Sequence, residues 1–417
     1  MHKFAHLADV HLGAHREPSL QKFELQTFDS TTKRCIELGV DFILVSGDLF
    51  HVGIPDLGVV NAALKSMMEV QHHGIPIYAI YGSHDYTPNG TSVIDILNTA
   101  GVLNNVFKPT FDGDSLRLGV TVDAKTGAKI AGISARKIGL ESRYFAALDR
   151  EALEAEQGFK IFAFHSGLTE FKPRQLSAME SVDSSLLPKG FDYYAGGHIH
   201  ERGEFRLPGL EDIVFPGPLF IGYGQDLEAT AKGEKRGFYV VEFDEHVRSK
   251  TFIPMNSFEG VFREYDLTGR NASDSGFMIS EDFKGTDVSG KLVVIRVFGE
   301  LAGGRVSEVG LAGLRSSLSD RGAIHVYLNR NALKSKEPSG HVFSGEEPSS
   351  IERSLFESEA GKIDAAEEHL RGQQGAEVSL ELLRLWRQPP KLGETKKDYT
   401  GRMVREGVYA LEKEKQG

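Results

Sequence analysis

The stretch Phe42-Ile43-Leu44-Val45-Ser46-Gly47-Asp48-Leu49-Phe50-His51 decides how this chain folds. Phe42–Val45 is an uninterrupted apolar run, the pattern of a strand buried on both faces. It breaks at Gly47, where a small residue lets the chain turn sharply and offer the Asp48 carboxylate. The pattern recurs on either side. Phe4–Leu7 leads into Ala8-Asp9-Val10-His11, and Ile75–Ile80 into Tyr81-Gly82-Ser83-His84-Asp85. Ile161–Phe164 leads into His165-Ser166-Gly167, and Phe191–Ala195 into Gly196-Gly197-His198-Ile199-His200. Between the first of these, Phe23–Leu38 and Val59–Val70 carry apolar residues at helical spacing. Alternating strand and helix predicts parallel βαβ units of an α/β domain. In such sheets ligands gather at the carboxyl ends of strands, which is where the polar motifs fall.

Further along, residues 213–253 read as a strand-rich return, with Phe238–Phe243 the clearest strand. Leu292–Val297 and Ile324–Leu328 predict strands, with a helix over Val309–Leu318 between them, so a small α/β accessory unit follows. Lys334–Ser350 is rich in Ser, Gly, Pro, Glu and Lys and reads as a linker. Beyond it, Pro348-Ser349-Ser350 gives a helix start before Ile351. Val378, Leu382, Leu385 and Trp386 share one face of a helix that Pro389-Pro390 must stop. Val404, Val408 and Leu411 repeat the spacing. The expected division is 1–254, 255–332, a linker over 333–350, and a helical segment over 351–417.

The length of 417 residues suits two or three domains at about 150 residues each. The N-terminus has no apolar core of a secretory signal, and no apolar run nears the ~20 residues that span a bilayer, so no membrane is expected. The single cysteine, Cys35, excludes an intramolecular disulfide and reads as a small buried side chain, consistent with a reducing cytoplasm. A net charge of −11 weighs against a nucleic-acid partner, which usually meets a basic surface. Bound cations would reverse that sign locally, and an acidic tail can hold part of the charge.

Six of the 15 histidines, His11, His51, His84, His165, His198 and His200, lie just after apolar strands, joined by Asp9 and Asp48. Imidazole with carboxylate suits first-row divalent metals such as manganese, iron or zinc. Asp9 and His11 are two apart, so in extended chain both side chains point to one side; His198 and His200 repeat this. A carboxylate at Asp48 could bridge two ions ~3.5–4 Å apart, the spacing that clamps both oxygens of a phosphoester displacement. The remaining histidines, His2, His6, His15, His72, His73, His246, His325, His341 and His369, have no motif and read as surface or core. Arg16, Lys22, Arg136, Lys137, Arg143 and Arg174 are candidates to touch phosphates, and Tyr86 and Asn89 to lie beside a bound strand.

Asp-x-His, Gly-Asp-x-x-His, Gly-x-His-Asp, a later His and Gly-His-x-His together resemble the calcineurin-like metallophosphoesterase superfamily. Within it, His6–Gly13, Ser46–His51, Ser92–Leu97 and Gly196–His200 resemble the double-strand-break repair nucleases of the archaeal meiotic-recombination-eleven and bacterial SbcD type. The resemblance covers residues 1–250; beyond that it extends only by layout. It implies an α/β metallophosphoesterase sandwich, two mixed sheets flanked by helices, with a small α/β capping domain and a helical C-terminal segment. It implies that Asp9, His11, Asp48 and His200 hold a first Mn2+, and that Asp48 bridges to a second, completed by His165, His198 and the residue at 83. His84 would be the general acid, His51 would position the phosphate, and Asp85 would orient His84. The implied activities are manganese-dependent 3′-to-5′ exonuclease and single-strand endonuclease cleavage. The implied partners are DNA, a second copy of the chain, and a coiled-coil repair ATPase of the Rad-fifty type docking on the C-terminal stripe. The implied location is cytoplasmic and nucleoid-associated.

This chain departs from the family at Ser83, where the family has Asn binding the second metal. A hydroxyl is shorter and a weaker ligand, so the second Mn2+ is expected to bind weakly. Two other readings remain: a phosphoesterase for small phosphodiesters, which suits the acidic charge, and an end-tethering scaffold that Ser83 has weakened catalytically.

Overall fold

Side chains alternate along the first strands, and each alternate set has its own partner. Phe4, Phe42, Leu44, Tyr78 and Ile80 face Ile161, Ala163 and Tyr193 of a second sheet. Ala5, Leu7, Ile43, Val45, Ile77 and Ala79 pack instead against Phe28, Cys35, Val59, Ala63, Met67 and Val70, from helices Pro18–Leu38 and Leu57–His72. A strand with both faces covered must be apolar throughout, hence the unbroken runs.

The computed structural model describes residues 1–87, 90–135, 141–172, 180–255, 258–335, 348–360, 370 and 372–412. Two six-stranded sheets face one another. The first runs, in spatial order, Val247–Pro254, Gly237–Phe243, His2–Leu7, Phe42–Ser46, Ile77–Ile80 and Asn104–Asn105. The second runs Gly203–Leu207, Leu210–Phe215, Tyr193–Gly197, Lys160–His165, Lys129–Ile133 and Thr121–Val122. Both are mixed: parallel in the middle, where the motif strands lie, and antiparallel at an edge. His6 bridges the two layers, with Nδ1 2.9 Å from the Tyr193 hydroxyl and Nε2 2.9 Å from Ser46 Oγ. Burial holds it uncharged, its pKa pushed down to about 3. It is a core histidine. This is a mixed α/β fold of sheets flanked by helices.

A smaller sheet follows, three parallel strands in the order Glu259–Asp266, Lys291–Leu301, His325–Ser335. Its central strand is also buried on both faces. Val293, Ile295 and Val297 meet helices Ala272–Phe283 and Leu311–Asp320. Leu292 and Val294 meet Phe220, Ile221, Leu227 and Ala231 of the sandwich. Its last strand reaches Ser335, three residues into the stretch expected as linker, because its ladder to the central strand continues to Leu301.

Contact clustering separates residues 1–336 from residues 337–417. The second unit holds helices Pro348–Ala360, Gly372–Trp386 and Lys396–Glu412. Its first helix starts at Pro348, since proline is favoured in a first helical turn. Among the described residues no helix is long and apolar enough to cross a membrane.

Phe162 is fully buried and meets the rings of Phe145, Phe164, Phe191 and Tyr194 on the outer face of the second sheet. Phe162→Ala should destabilise the sandwich by about 3–5 kcal/mol, read as a lower urea midpoint; a loss below about 1 kcal/mol would place the core elsewhere.

Candidate metal centre

Neighbouring parallel strands deliver the motif residues to one end of the sandwich. Asp9 and His11 follow His2–Leu7, Asp48 follows Phe42–Ser46, and Ser83, His84 and Asp85 follow Ile77–Ile80. From the opposite sheet, His165 ends Lys160–His165, and His198 and His200 follow Tyr193–Gly197. Backbone hydrogen bonds zip the first two loops together. Asp9 N–H donates to Gly47 O (3.2 Å), His11 N–H to Asp48 O (2.9 Å), and His51 N–H to Leu12 O (3.0 Å). The chain is bent hard here: Asp9, His11, Asp48 and His198 have φ of 50°, 51°, 51° and 83°. Left-handed backbone is uncommon outside glycine and concentrates where function fixes a side chain. Gly47 (φ 87°) has no room for a Cβ, which would strike His165, and a Cβ on Gly82 would strike Asp48.

Ligand-type atoms converge in overlapping groups, each spanning no more than 4.8 Å: Asp9, His11 and His200; Asp9, Asp48 and His165; and His11, His51 and His84. Asp48 Oδ2 lies 3.6 Å from His11 Nε2 and 3.1 Å from His165 Nε2, so it reaches both of the first two groups. Asp9 belongs to both, and its carboxylate also accepts the His198 N–H (2.9 Å). The His198 ring packs against His165, centroids 5.2 Å apart. Ser83 Oγ is 3.5 Å from Asp48 Oδ2, a long contact.

The imidazoles are oriented from behind. His165 Nδ1 faces Ser46 O at 2.8 Å, and a carbonyl only accepts, so Nδ1 carries the proton. Its Nε2 is buried and faces the Asp48 carboxylate at 3.1 Å. Nδ1 of His200 faces Asp226 Oδ2 at 2.9 Å, and its Nε2 meets His11 Nε2 at 3.1 Å. Two imidazole nitrogens aimed at each other, beside a third that faces one of two buried carboxylates, form a donor set that fits divalent cations.

Electrostatics give the same picture. Burial pushes Asp9 up to about 6, against the pull of His165 and His200. Burial also opposes the charged form of Asp48, but His165 outweighs it and holds that carboxyl low. For His165, burial is outweighed by Asp48 and Asp9, which raise it to about 10. His11 is driven well down by burial, and His198 down to about 4. The carboxylates thus demand positive charge, and one imidazole carries it as a proton.

Asp85 corrects one expectation. Its buried carboxylate does not orient His84; it accepts the N–H groups of Phe50 (2.8 Å), Gly82 (2.9 Å) and Leu49 (3.2 Å) and ties two motif loops together. Both of its oxygens are thus turned to backbone amides. His84 instead has Nδ1 on His51 O (2.7 Å) and Nε2 on the Tyr223 hydroxyl (2.6 Å), while the His51 ring stacks on it at 4.8 Å.

Three residues carried no sequence signal. Asp226 fixes His200 and is itself held by the N–H groups of Tyr223 and Gly222. Tyr223 meets His84. Glu24, on helix Pro18–Leu38, takes the Gly13 N–H and so steadies the loop carrying His11. Of the candidate substrate contacts, Arg16, Lys22 and Arg143 are exposed, and Tyr86 is half-buried against a cavity of about 260 Å3 with Tyr81, Asp95 and Phe107. Asn89, Arg136, Lys137 and Arg174 lie outside the described residues. In the helical unit Val378 is buried, and Leu382 and Leu385 approach Gly407 of the last helix. That stripe is therefore largely internal to its own unit, because two helices flank it; Trp386 stays 60% exposed.

Residues 2–202 match the family model described as calcineurin-like phosphoesterase. The chain is 26% identical to the DNA double-strand break repair protein Mre11 of Archaeoglobus fulgidus over 73% of this chain and 72% of that protein. It is 26% identical to the protein of that name from Methanopyrus kandleri, over 58% of this chain and 54% of the relative. The alignment spans less than two thirds of most such relatives. Among solved structures, TT1561 of Thermus thermophilus aligns over 61% of this chain and 99% of its own, at 14% identity and a TM-score of 0.38.

Burial pushes the Glu24 carboxyl up from its usual 4.5 to about 7, against the N–H groups of Gly13, His15 and Ala14, which favour its charge. Between those values the folded state binds the extra proton, so this residue's contribution falls as pH rises through the window. Each pH unit is worth about 1.4 kcal/mol, so the change is on the order of 3 kcal/mol. Glu24→Gln should remove it: the stability of the variant relative to the native chain should rise by that amount from about pH 4.5 to about pH 7 in urea unfolding. A gap independent of pH would show a carboxylate that ionises normally.

Proposed function

Residues 2–202 form a calcineurin-like phosphoesterase domain, and on that premise we propose that the chain is a two-metal, manganese-dependent DNA nuclease of a double-strand-break repair complex. One observation carries the reading: Asp9, His11, Asp48, His165 and His200, from four separate segments of the chain, close into a largely buried donor set with His84 at its edge. Relatives named for DNA double-strand break repair that align well past residue 202 support DNA over a small phosphodiester. So does the accessory sheet seated on Phe220–Ala231, which a small substrate does not require.

Asp9, His11, Asp48 and His200 would hold one Mn2+, and Asp48, His165 and His198 the other, with Ser83 beside them. Ions there supply Lewis-acid stabilisation of the phosphoryl oxygens. The chain's own residues do the rest. Arg236 reaches His200 O (3.1 Å) and Asp226 O (3.2 Å), fixing the residue whose carboxylate turns Nε2 of His200 inward. His51 fixes His84 by its carbonyl and by stacking, leaving Nε2 of His84 to protonate the leaving oxygen. Partner contacts follow the same proposal. A homodimer belongs to the same proposal, as does docking of a coiled-coil ATPase of the Rad-fifty type on the helical unit, where Trp386, Val404, Val408 and Leu411 are exposed.

The test is cleavage of single-stranded and blunt duplex DNA during a manganese titration. The native chain should cleave, and His84→Ala should lose about 10²–10⁴-fold in kcat. Ser83→Asn should lower the manganese needed for half-maximal rate. If only Ser83→Asn cleaves, the native chain is a scaffold; cleavage confined to small phosphodiesters replaces the DNA reading.

Because His165 is held protonated by Asp48 and Asp9, ion binding must displace its proton. Manganese affinity should therefore rise with pH, by up to about tenfold per unit for one proton released. Calorimetry in buffers of different ionisation enthalpy reads this directly, and a pH-independent affinity would remove His165 from the ligand set.

A further inference from the structure

His84 is held on three sides. Nδ1 faces the His51 carbonyl at 2.7 Å, so Nδ1 carries a proton. One ring face stacks on His51 at 4.8 Å. Nε2, the atom that must meet a substrate, faces the Tyr223 hydroxyl at 2.6 Å, and among the described residues no other group hydrogen-bonds it.

Tyr223 is rigidly mounted. Its N–H donates to Asp226 Oδ2 (2.8 Å), the same oxygen that orients His200. The next residue, Gly224, lies so close to Tyr327 of the accessory sheet that no Cβ would fit. Its ring is edge-on to His11 and His51, at 5.6 and 5.7 Å. Yet Tyr223 is 42% exposed, so its hydroxyl stands between His84 and the open side. A phenol both donates and accepts. It can therefore pair with Nε2 as a bare nitrogen or as N–H, which neither phenylalanine nor a carbonyl can do.

We infer that Tyr223 is the positioning residue for His84: its hydroxyl holds Nε2 at the place of the leaving oxygen and yields that place when substrate binds. The inference rests on the phosphodiester hydrolysis proposed above. In that reaction a water oxygen forms the new bond to phosphorus and its proton passes to solvent. The bond to the leaving oxygen breaks, its electron pair stays on that oxygen, and the oxygen takes the proton from Nε2. Tyr223 accepts from the N–H until substrate takes its place and donates to the bare nitrogen once the leaving oxygen has departed, so the ring returns to one orientation between turnovers.

Leaving-group chemistry tests this. DNA expels an alkoxide that needs a proton, whereas a 4-nitrophenyl ester of thymidine 5′-phosphate expels a phenolate that does not. In Tyr223→Phe with manganese, kcat on DNA should fall about tenfold or more with KM nearly unchanged, and kcat on the nitrophenyl ester should change by less than about threefold. In the metal-free chain labelled with nitrogen-15 at histidine, the same substitution should move the His84 Nε2 resonance and leave Nδ1 in place. Equal losses on both substrates, or an unmoved Nε2 resonance, overturn the inference alone. A native chain that cleaves neither substrate overturns the hydrolase reading and this one with it.

Discussion

Two carboxylates, Asp9 and Asp48, are buried side by side among imidazoles, and their uncompensated charge is the constraint to which the rest of the sandwich end answers. A buried ion without partners is untenable. Each carboxylate accordingly has a backbone N–H donor, from His198 and from His84 respectively, and a nearby imidazole. Four residues at this end adopt left-handed backbone, each at a cost of order 1–3 kcal/mol. The loops keep that geometry because Asp85 clamps three amides from beneath, Glu24 holds Gly13, and the ladder from Asp9 to His51 zips two of them together. Strain and support are adjacent, and the doubly covered strands below give both something rigid to push against.

The accessory sheet is part of this end. Leu292 and Val294 bury themselves on Phe220, Ile221, Leu227 and Ala231, the segment that also carries Tyr223 and Asp226. Asn329 and Arg296 of the sheet both reach Glu228 on the same helix. The surface that covers the sandwich thus rests on the helix that orients His200 and presents Tyr223 to His84. A displacement of the sheet would be felt at both histidines through one short helix.

Much of this was legible in the sequence because the chemistry sits where apolar runs stop. Burial on both faces makes a strand conspicuous, and a His or Asp immediately after it inherits a known place. Asp9, His11, Asp48, His51, His84, His165, His198 and His200 were all visible that way. Asp226, Tyr223 and Glu24 were not. They act from a short helix, the residue before it, and the buried face of a long one, where nothing in local spacing separates them from ordinary polar residues. Asp85 was visible but misread: the family resemblance implied a partner for His84, and the turn instead directs its carboxylate toward three amides. Val378, Leu382 and Leu385 show the same limit, since an apolar stripe has one pattern whether its partner is a neighbouring helix or another protein.

On the proposed two-ion reading, the halves of the centre are unequally prepared. Around His11 and His200 the ligands are fixed from behind: Arg236 holds Asp226, Asp226 holds His200, and Glu24 holds the His11 loop. Ions gain most where ligands are already oriented. Around His165, among the described residues, the support is the Ser46 carbonyl, and Ser83 offers a short hydroxyl that reaches Asp48 at 3.5 Å. An ion on that side would have to draw Ser83 inward or accept water in its place. The first position is therefore the better organised, and it is the one whose histidine is tied, through Asp226 and Tyr223, to His84.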